Sequence, residues 1–254
     1  MKLGLVTYNM AKDWDVDTTI QMCEKTGFAG VELRTTHAHK VEVNLSADER
    51  KAVKQKFASS KVELVGLGST FEYHSTDQAE VRKHIEGTKE YVVLAYDVGA
   101  PGVKVRPNGL PQGVPVEKTL EQIGLALKEC GKFAENYGVE IRLEVHGGGT
   151  SHVPYIRQIL DIADCKNVVA CWNSNGGEVE NGSIKNNFNY LTGRIGLVHI
   201  NELYTSYTWR ELFQLLHQSG FKGFTLAEIA GSSDPERVMR YYKATWDLLN
   251  AGLV

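Results

Sequence analysis

The segment IRLEVHGGG, residues 141–149, decides how the whole chain is interpreted. Its first part has the composition of a buried strand, and its last part is a glycine loop. Because successive strand residues point to opposite faces, Arg142, Glu144 and His146 share one face. A cation, a carboxylate and an imidazole are costly to bury without partners. The segment therefore predicts that this face meets polar partners, a metal or an open pocket.

Three later segments also end in a polar side chain after an apolar run. Asn173 follows the run VVACW, His199 follows IGLV, and Glu228 follows FTLA. Together with Glu144, these residues supply two carboxylates, an imidazole and an amide. We expect the four strand ends to converge on one site.

Short apolar runs alternate with segments of helical period along the chain. The predicted strands cover residues 3–7, 31–34, 62–68, 102–107, the first part of 141–149, 168–172, 195–200 and 221–229. The predicted helices cover residues 15–26, 46–60, 77–98, 116–134, 155–162, 183–191, 209–216 and 234–249. Two helix starts carry capping signals, Ser46 with Glu49 and Asp234 before Pro235. Eight such units predict a single (β/α)₈ TIM-barrel domain over residues 1–254.

A doubly wound sheet is the rival fold, but its glycine signature is missing. Gly66 and Gly68 are not followed by a third glycine at the dinucleotide spacing, and no phosphate-binding GxxxxGK[ST] motif occurs.

The net charge of the chain limits the kinds of molecule that it is expected to bind. The formal net charge is −3 and the sequence pI about 6.3, which argues against a mainly electrostatic grip on nucleic acid. Four scattered cysteines without a CxxC pair favour reduced thiols. No run approaches the roughly 20 apolar residues of a membrane span, and the chain starts directly in a strand-like run. We therefore expect a cytoplasmic protein with no membrane or nucleic-acid partner.

Polar side chains cluster at the strand ends, where a TIM barrel carries its active site. They are Glu32, Arg34, Lys104, Arg106, Arg142, Glu144, His146, Asn173, His199 and Glu228. Carboxylate and imidazole ligands favour Mn, Mg, Co, Zn or Fe over softer choices. The alternative is an internal network in which Arg142 and Arg106 neutralise Glu144 and Glu228.

The motifs LEVHG, CWNSN, LVHINE and LAEIAG, with GVEL in the second strand, resemble the metal-site strands of xylose isomerase-like barrels. That superfamily includes sugar and sugar-phosphate isomerases and epimerases, inosose dehydratases and the endonuclease IV repair enzymes. The resemblance covers nearly the whole chain. It implies a metal-dependent isomerase or epimerase that acts on a small carbohydrate or sugar phosphate. It also makes a homo-oligomer an expectation, because relatives commonly pair.

The resemblance also implies roles for particular residues. In the epimerases of this group, Glu, Asp, His and Glu hold the metal, and these positions correspond to Glu144, Asn173, His199 and Glu228. The two glutamates, Glu144 and Glu228, are also the implied acid and base that move a proton next to a carbonyl. The residues expected to bind substrate are Lys104, Arg106, Arg142, His146 and Glu32.

The sequence departs from the family pattern at three places. Asn173 replaces the usual Asp, Gly176 stands where a histidine is expected, and residues 204–207 lack the usual arginine. Two alternatives therefore stay open, a metal-free barrel that binds a small anionic ligand and a dehydratase-type lyase. An endonuclease IV-like hydrolase is disfavoured by the small number of metal-binding residues and by the acidic pI.

Overall fold

The strands are buried on both faces, because helices cover one face of a parallel barrel and facing strands cover the other. The computed structural model describes residues 1–252, so the last two residues of the predicted 1–254 domain lie outside the described residues. The strands are β1 (Lys2–Val6), β2 (Gly30–Arg34), β3 (Glu63–Gly68), β4 (Gly102–Val105), β5 (Glu140–Glu144), β6 (Val168–Asn173), β7 (Ile195–Ile200) and β8 (Phe224–Ala227). All neighbouring strands are parallel, and β8 pairs with β1 to close the barrel. The predicted (β/α)₈ barrel is confirmed.

One α-helix follows each strand, and a short 3₁₀ helix (Asn9–Ala11) precedes the first of them. The helices are α1 (Val16–Thr26), α2 (Ala47–Ala58), α3 (Gln78–Val98), α4 (Val116–Glu135), α5 (Val153–Ala163), α6 (Lys185–Leu191), α7 (Trp209–Gln218) and α8 (Pro235–Asn250). Helix α6 starts later than residue 183, because the backbones of Glu180 and Ser183 bond to each other in a turn. Strand β8 is shorter than the predicted 221–229. No helix within residues 1–252 is long and apolar enough to span a bilayer.

The core has two layers that separate the two faces of each strand. Inward-facing residues fill the lumen with a buried apolar cluster formed by Val6, Val65, Cys171, Leu197, Phe224 and Leu226. Outward-facing residues form the larger core beneath the helices. Trp172 belongs to this outer layer, where its ring centroid lies 5.6 Å from that of Phe188. Because this apolar cluster fills the lumen, the inward-facing polar side chains lie at the carboxyl ends of the strands.

The start of α2 is held by a reciprocal cap. The Ser46 hydroxyl accepts from the Glu49 backbone N–H at 3.3 Å, and the Glu49 carboxylate accepts from the Ser46 N–H at 2.8 Å. We expect Ser46→Ala to lower the free energy of unfolding by about 1 kcal/mol, because a helix donor then loses its partner. Urea unfolding at constant m-value measures the change. Ser59→Ala at the other end of α2 is the control, with an expected effect within about 0.5 kcal/mol; equal losses for both variants would contradict the capping account.

Candidate active site

A cavity of 280 Å³ opens at the carboxyl ends of the strands. Its lining residues are Tyr8, Arg34, Lys104, Arg106, Glu144, His146, Asn173, Asn175, Asn201 and Glu228. The wall is therefore almost wholly polar and carries both signs of charge. A volume near the lower end of the usual range for small-molecule sites suits a ligand of monosaccharide size.

Three side chains beside this cavity can hold a metal ion. Glu144 ends β5, His199 lies near the end of β7, and Glu228 follows β8 directly. One ligand atom from each lies within 4.8 Å of the other two. The His199 Nδ1 atom lies 3.4 Å from Glu144 Oε1 and 3.8 Å from Glu228 Oε2. The predicted convergence of these strand ends is thus present in the geometry.

The Glu144 carboxylate has two further partners from neighbouring strands. Lys104 Nζ donates to Oε2 at 2.9 Å, and Asn173 Nδ2 donates to Oε1 at 2.8 Å. The other side-chain atom of Asn173, Oδ1, is buried and has no hydrogen-bond partner within residues 1–252. Asn173 therefore keeps one oxygen available to a ligand next to the Glu144–His199–Glu228 group.

A further carboxylate lies on the opposite side of the His199 ring. Glu32 Oε1 is 3.3 Å from His199 Nε2, and both residues are fully buried. Space for Glu32 comes from β3, where a Cβ on Gly68 would lie 2.9 Å from Glu32 Oε1. With Nε2 directed at Glu32, the other ring nitrogen, Nδ1, faces Glu144 and Glu228. A carboxylate behind a histidine fixes the ring orientation and raises its basicity as a ligand.

The pKa values of His199, Glu144 and Lys104 are shifted toward the charged form of each side chain. Burial opposes charge on His199, yet the pKa of His199 is raised well above its usual value by the groups around it, Cys171 and Glu32 first. The same burial is overcome at Glu144, whose pKa is held well below its usual value by Lys104 and His199. The Lys104 pKa is raised by Glu144 and Glu32 against the effect of burial. The Glu144 carboxylate is therefore held ionised beside two cationic neighbours.

The donor set fits a divalent ion. Adjacent ligand atoms around a metal stand about 3–4 Å apart when each bond is about 2.1 Å long, and the His199 contacts to Glu144 and Glu228 fall in this range. A divalent ion would take the place of the proton that these carboxylates favour on His199, because a histidine ligand must be deprotonated. The orphaned Asn173 Oδ1 offers a neutral fourth oxygen. We therefore regard Glu144, His199, Glu228 and Asn173 as a candidate metal centre.

Comparison with known proteins places the chain in a family. The sequence pattern described as "Xylose isomerase-like TIM barrel" matches residues 20–244. The chain belongs to this family. The resemblance inferred from the strand-end motifs is thereby confirmed. Among curated proteins, none matches the sequence significantly.

Solved structures with the same fold include proteins of stated activity. The zinc-bound IolI protein superposes with a TM-score of 0.83 at 17% identity, covering 100% of this chain and 99% of its own. D-Psicose 3-epimerase from Clostridium cellulolyticum H10, with D-tagatose, gives 0.80 at 16% identity, covering 100% and 99%. An L-ribulose 3-epimerase gives 0.82 at 16% identity, covering 100% and 96%. At these identities the likeness establishes the fold.

Two of the residues predicted to bind substrate do not line the cavity. Arg142 is buried and turned away from the mouth, with Nη1 donating to the Val65 carbonyl at 2.7 Å and Nε donating to Glu140 at 2.9 Å. Glu32 lies behind His199, as described above.

The other predicted substrate residues line the cavity but already have partners. Lys104 is paired with Glu144. Arg106 Nη2 donates to Glu72 Oε1 at 2.8 Å. His146 Nδ1 lies 2.8 Å from Asn108 Oδ1, and Asn108 Nδ2 donates to the other Glu72 oxygen at 2.6 Å. Glu72 thus organises this part of the wall.

Three lining residues, Tyr8, Asn175 and Asn201, were not among the sequence candidates. Tyr8 follows β1 by two residues, and Asn201 follows β7 directly. Their position just beyond a strand end is the signal that could have identified them, since the loops after the strands build TIM-barrel sites.

Proposed function

We propose that this protein is a sugar isomerase or epimerase that moves a proton next to a carbonyl. Its divalent ion would be bound by Glu144, His199 and Glu228, with Asn173 as a weaker ligand. The observation that carries the proposal is the Glu144–His199–Glu228 group, whose two glutamates lie in the wall of a polar cavity at the carboxyl end of the barrel. The sugar epimerases that share the fold, and the zinc-bound IolI protein, support this reading.

The two glutamates differ in how firmly they are held. Glu144 is bonded through both oxygens and kept ionised by Lys104. Glu228 faces the cavity, and its side chain is 19% exposed. Glu228 is thus the more exposed carboxylate and suits the first transfer of a substrate proton, while Glu144 would serve on the other side of the same carbon. When bound, the metal would polarise the substrate's oxygens and stabilise negative charge that develops on them.

A second candidate function rests on the Lys104–Glu144 pair. Lys104 is 6% exposed and its Nζ lies 2.9 Å from Glu144 Oε2, so the site already contains a buried cation. A metal-free barrel could use this cation to bind an anionic ligand. Asn173, which lacks the charge of the family's aspartate, favours the same reading.

Metal content and proton exchange together test the proposal. We expect protein purified without added metal to contain a stoichiometric divalent ion by elemental analysis. In deuterated water, we expect that protein to exchange a proton next to the carbonyl of at least one ketose in a panel followed by proton NMR. Chelation should stop the exchange, and Mn²⁺ should restore it. Exchange that continues unchanged after the metal is removed would favour the Lys104-based alternative.

A further inference from the structure

The cations of the cavity wall are not equivalent. Lys104 is paired with Glu144 at 2.9 Å, and Arg106 is paired with Glu72 at 2.8 Å. Arg34, the last residue of β2, lines the same cavity, and no carboxylate within residues 1–252 lies within 4.0 Å of its guanidinium. Arg34 is therefore the lining cation whose charge the described part of the chain leaves uncompensated.

Arg34 is nevertheless held in a defined position. Its backbone N–H donates to Thr7 Oγ1 at 2.9 Å, and its guanidinium carbon lies 5.5 Å from the centre of the Tyr8 ring. Its Nη1 lies 3.4 Å from His37 Nε2, and His37 Nδ1 is 3.0 Å from the same Thr7 hydroxyl. Because a guanidinium only donates, His37 Nε2 accepts, which leaves Nδ1–H to donate to Thr7. Thr7, Tyr8 and His37 thus form a cradle for the Arg34 side chain.

The cradle uses little of the hydrogen-bonding capacity of Arg34. A guanidinium has five N–H donors, and a single one is directed at His37. Burial, and then Arg34 itself, lower the pKa of His37 to about 4. His37 is therefore neutral near pH 7 and adds no charge of its own. The cradle fixes the guanidinium while the remaining donors stay available to the cavity.

A glycine separates Arg34 from Lys104 in the register of the sheet. Arg34 is paired with Gly68 of β3, and Gly68 is paired with Lys104 of β4. The space beside Gly68 is taken by the buried Glu32 carboxylate, because a Cβ on Gly68 would lie 2.9 Å from Glu32 Oε1. An anion on Arg34 would share one cavity with Glu144 and Glu228, where the proposed proton transfer takes place.

From this arrangement we propose that Arg34 is a specificity-determining residue that binds an anionic group of the substrate, so that the substrate is a phosphorylated or carboxylated sugar. That the substrate is a sugar rests on the proposed function, whereas its anionic group is inferred from Arg34. A planar guanidinium binds phosphate and carboxylate through two parallel hydrogen bonds. The small volume of the cavity, 280 Å³, keeps that group close to the reacting carbon.

Calorimetry with three matched ketoses tests the inference without requiring turnover. D-Fructose, D-fructose 6-phosphate and D-fructuronate differ at carbon 6 alone, where they carry a hydroxyl, a phosphate and a carboxylate. We expect the wild type to bind at least one anionic sugar about 10- to 100-fold more tightly than D-fructose, as charge-assisted bonds allow. The tighter of the two distinguishes phosphate from carboxylate. Equal affinity for all three sugars would overturn the inference.

Variants locate the anion within the cavity. We expect Arg34→Gln to lose most of the preference for the anionic sugar and Arg34→Lys to keep part of it. Arg106→Gln, which removes a cation already paired with Glu72, should retain the preference. Loss of the preference in Arg106→Gln with retention in Arg34→Gln would refute the assignment. Circular dichroism checks that each variant is folded.

Inorganic phosphate separates this inference from the metal proposal. Phosphate held by Arg34 should bind with and without chelator, and its affinity should fall about 10-fold or more in Arg34→Gln. Phosphate held by a metal would bind equally to the wild type and Arg34→Gln and would be released by chelator, which would overturn the Arg34 site. A protein that shows no proton exchange yet selects anionic sugars through Arg34 would contradict the proposed function alone.

Discussion

Replacing Glu144 by Gln is expected to lower the rate of substrate proton exchange by about 10³-fold or more. A positioned acid or base contributes about 10²- to 10⁴-fold to such a reaction. The amide can neither move the proton nor supply the charge that the candidate metal centre needs. The measurement is proton exchange in deuterated water with a ketose that the wild type processes. Full activity in folded Glu144→Gln would refute the assignment of Glu144.

Stability must be separated from chemistry in this variant. Glu144→Gln leaves Lys104, a residue that is 6% exposed, without its charge partner. Breaking a buried pair in this way costs about 3–5 kcal/mol. Glu228→Gln is the matched variant, because Glu228 is partly exposed and no lysine or arginine within residues 1–252 is paired with it. We expect Glu228→Gln to lose activity to a similar extent while its unfolding free energy changes little.

The strand ends that matter for the metal centre could be predicted from the sequence. Parity along a strand places Arg142, Glu144 and His146 on one face, and the TIM-barrel rule places the site at the carboxyl ends. The approach of Glu144, His199 and Glu228 agrees with that prediction. Their chemical roles stay a prediction until the variants are measured.

Parity does not indicate how far along the barrel axis a long side chain reaches. Lys104 and Arg142 are paired in register on neighbouring strands and both point inward. The lysine extends toward the mouth and reaches Glu144, whereas the arginine bends back to Glu140 and the Val65 carbonyl. The direction depends on which partners the closed barrel brings near, and those partners come from strands distant in sequence. Sequence alone therefore assigned both residues to the same role.

The sequence also does not indicate which of the cations are paired with a carboxylate. Arg106 looks as suitable as Arg34 for binding an anion, since each ends an inward-facing set on its strand. The fold brings Glu72 to Arg106 but brings Thr7, Tyr8 and His37 to Arg34. None of these contacts follows from spacing along the chain. Arg106 is neutralised and Arg34 is available because of the way the loops after β1, β2 and β3 fold against these two side chains.

Asn173→Asp is expected to make the protein less stable without metal and more stable with it. In the wild type, Asn173 Nδ2 donates to Glu144 Oε1 at 2.8 Å. An aspartate there would place a second carboxylate against Glu144, and we expect the unfolding free energy after chelation to fall by about 1–3 kcal/mol. A divalent ion between the two carboxylates reverses this repulsion. The added ligand charge should tighten Mn²⁺ binding by about 10- to 100-fold.

The reversal can be measured as two melting curves for each variant, one in chelator and one in excess Mn²⁺. A ligand that binds only the folded state stabilises it in proportion to the logarithm of its concentration over Kd, so tighter binding gives a larger rise in Tm. Asn175→Asp is the control, because Asn175 lines the same cavity and adds the same charge away from the Glu144 contact. If the two variants respond alike, the metal does not lie at Asn173. If Asn173→Asp alone gains the larger shift, the metal lies at residue 173, and the neutral amide of Asn173 is what limits its affinity there.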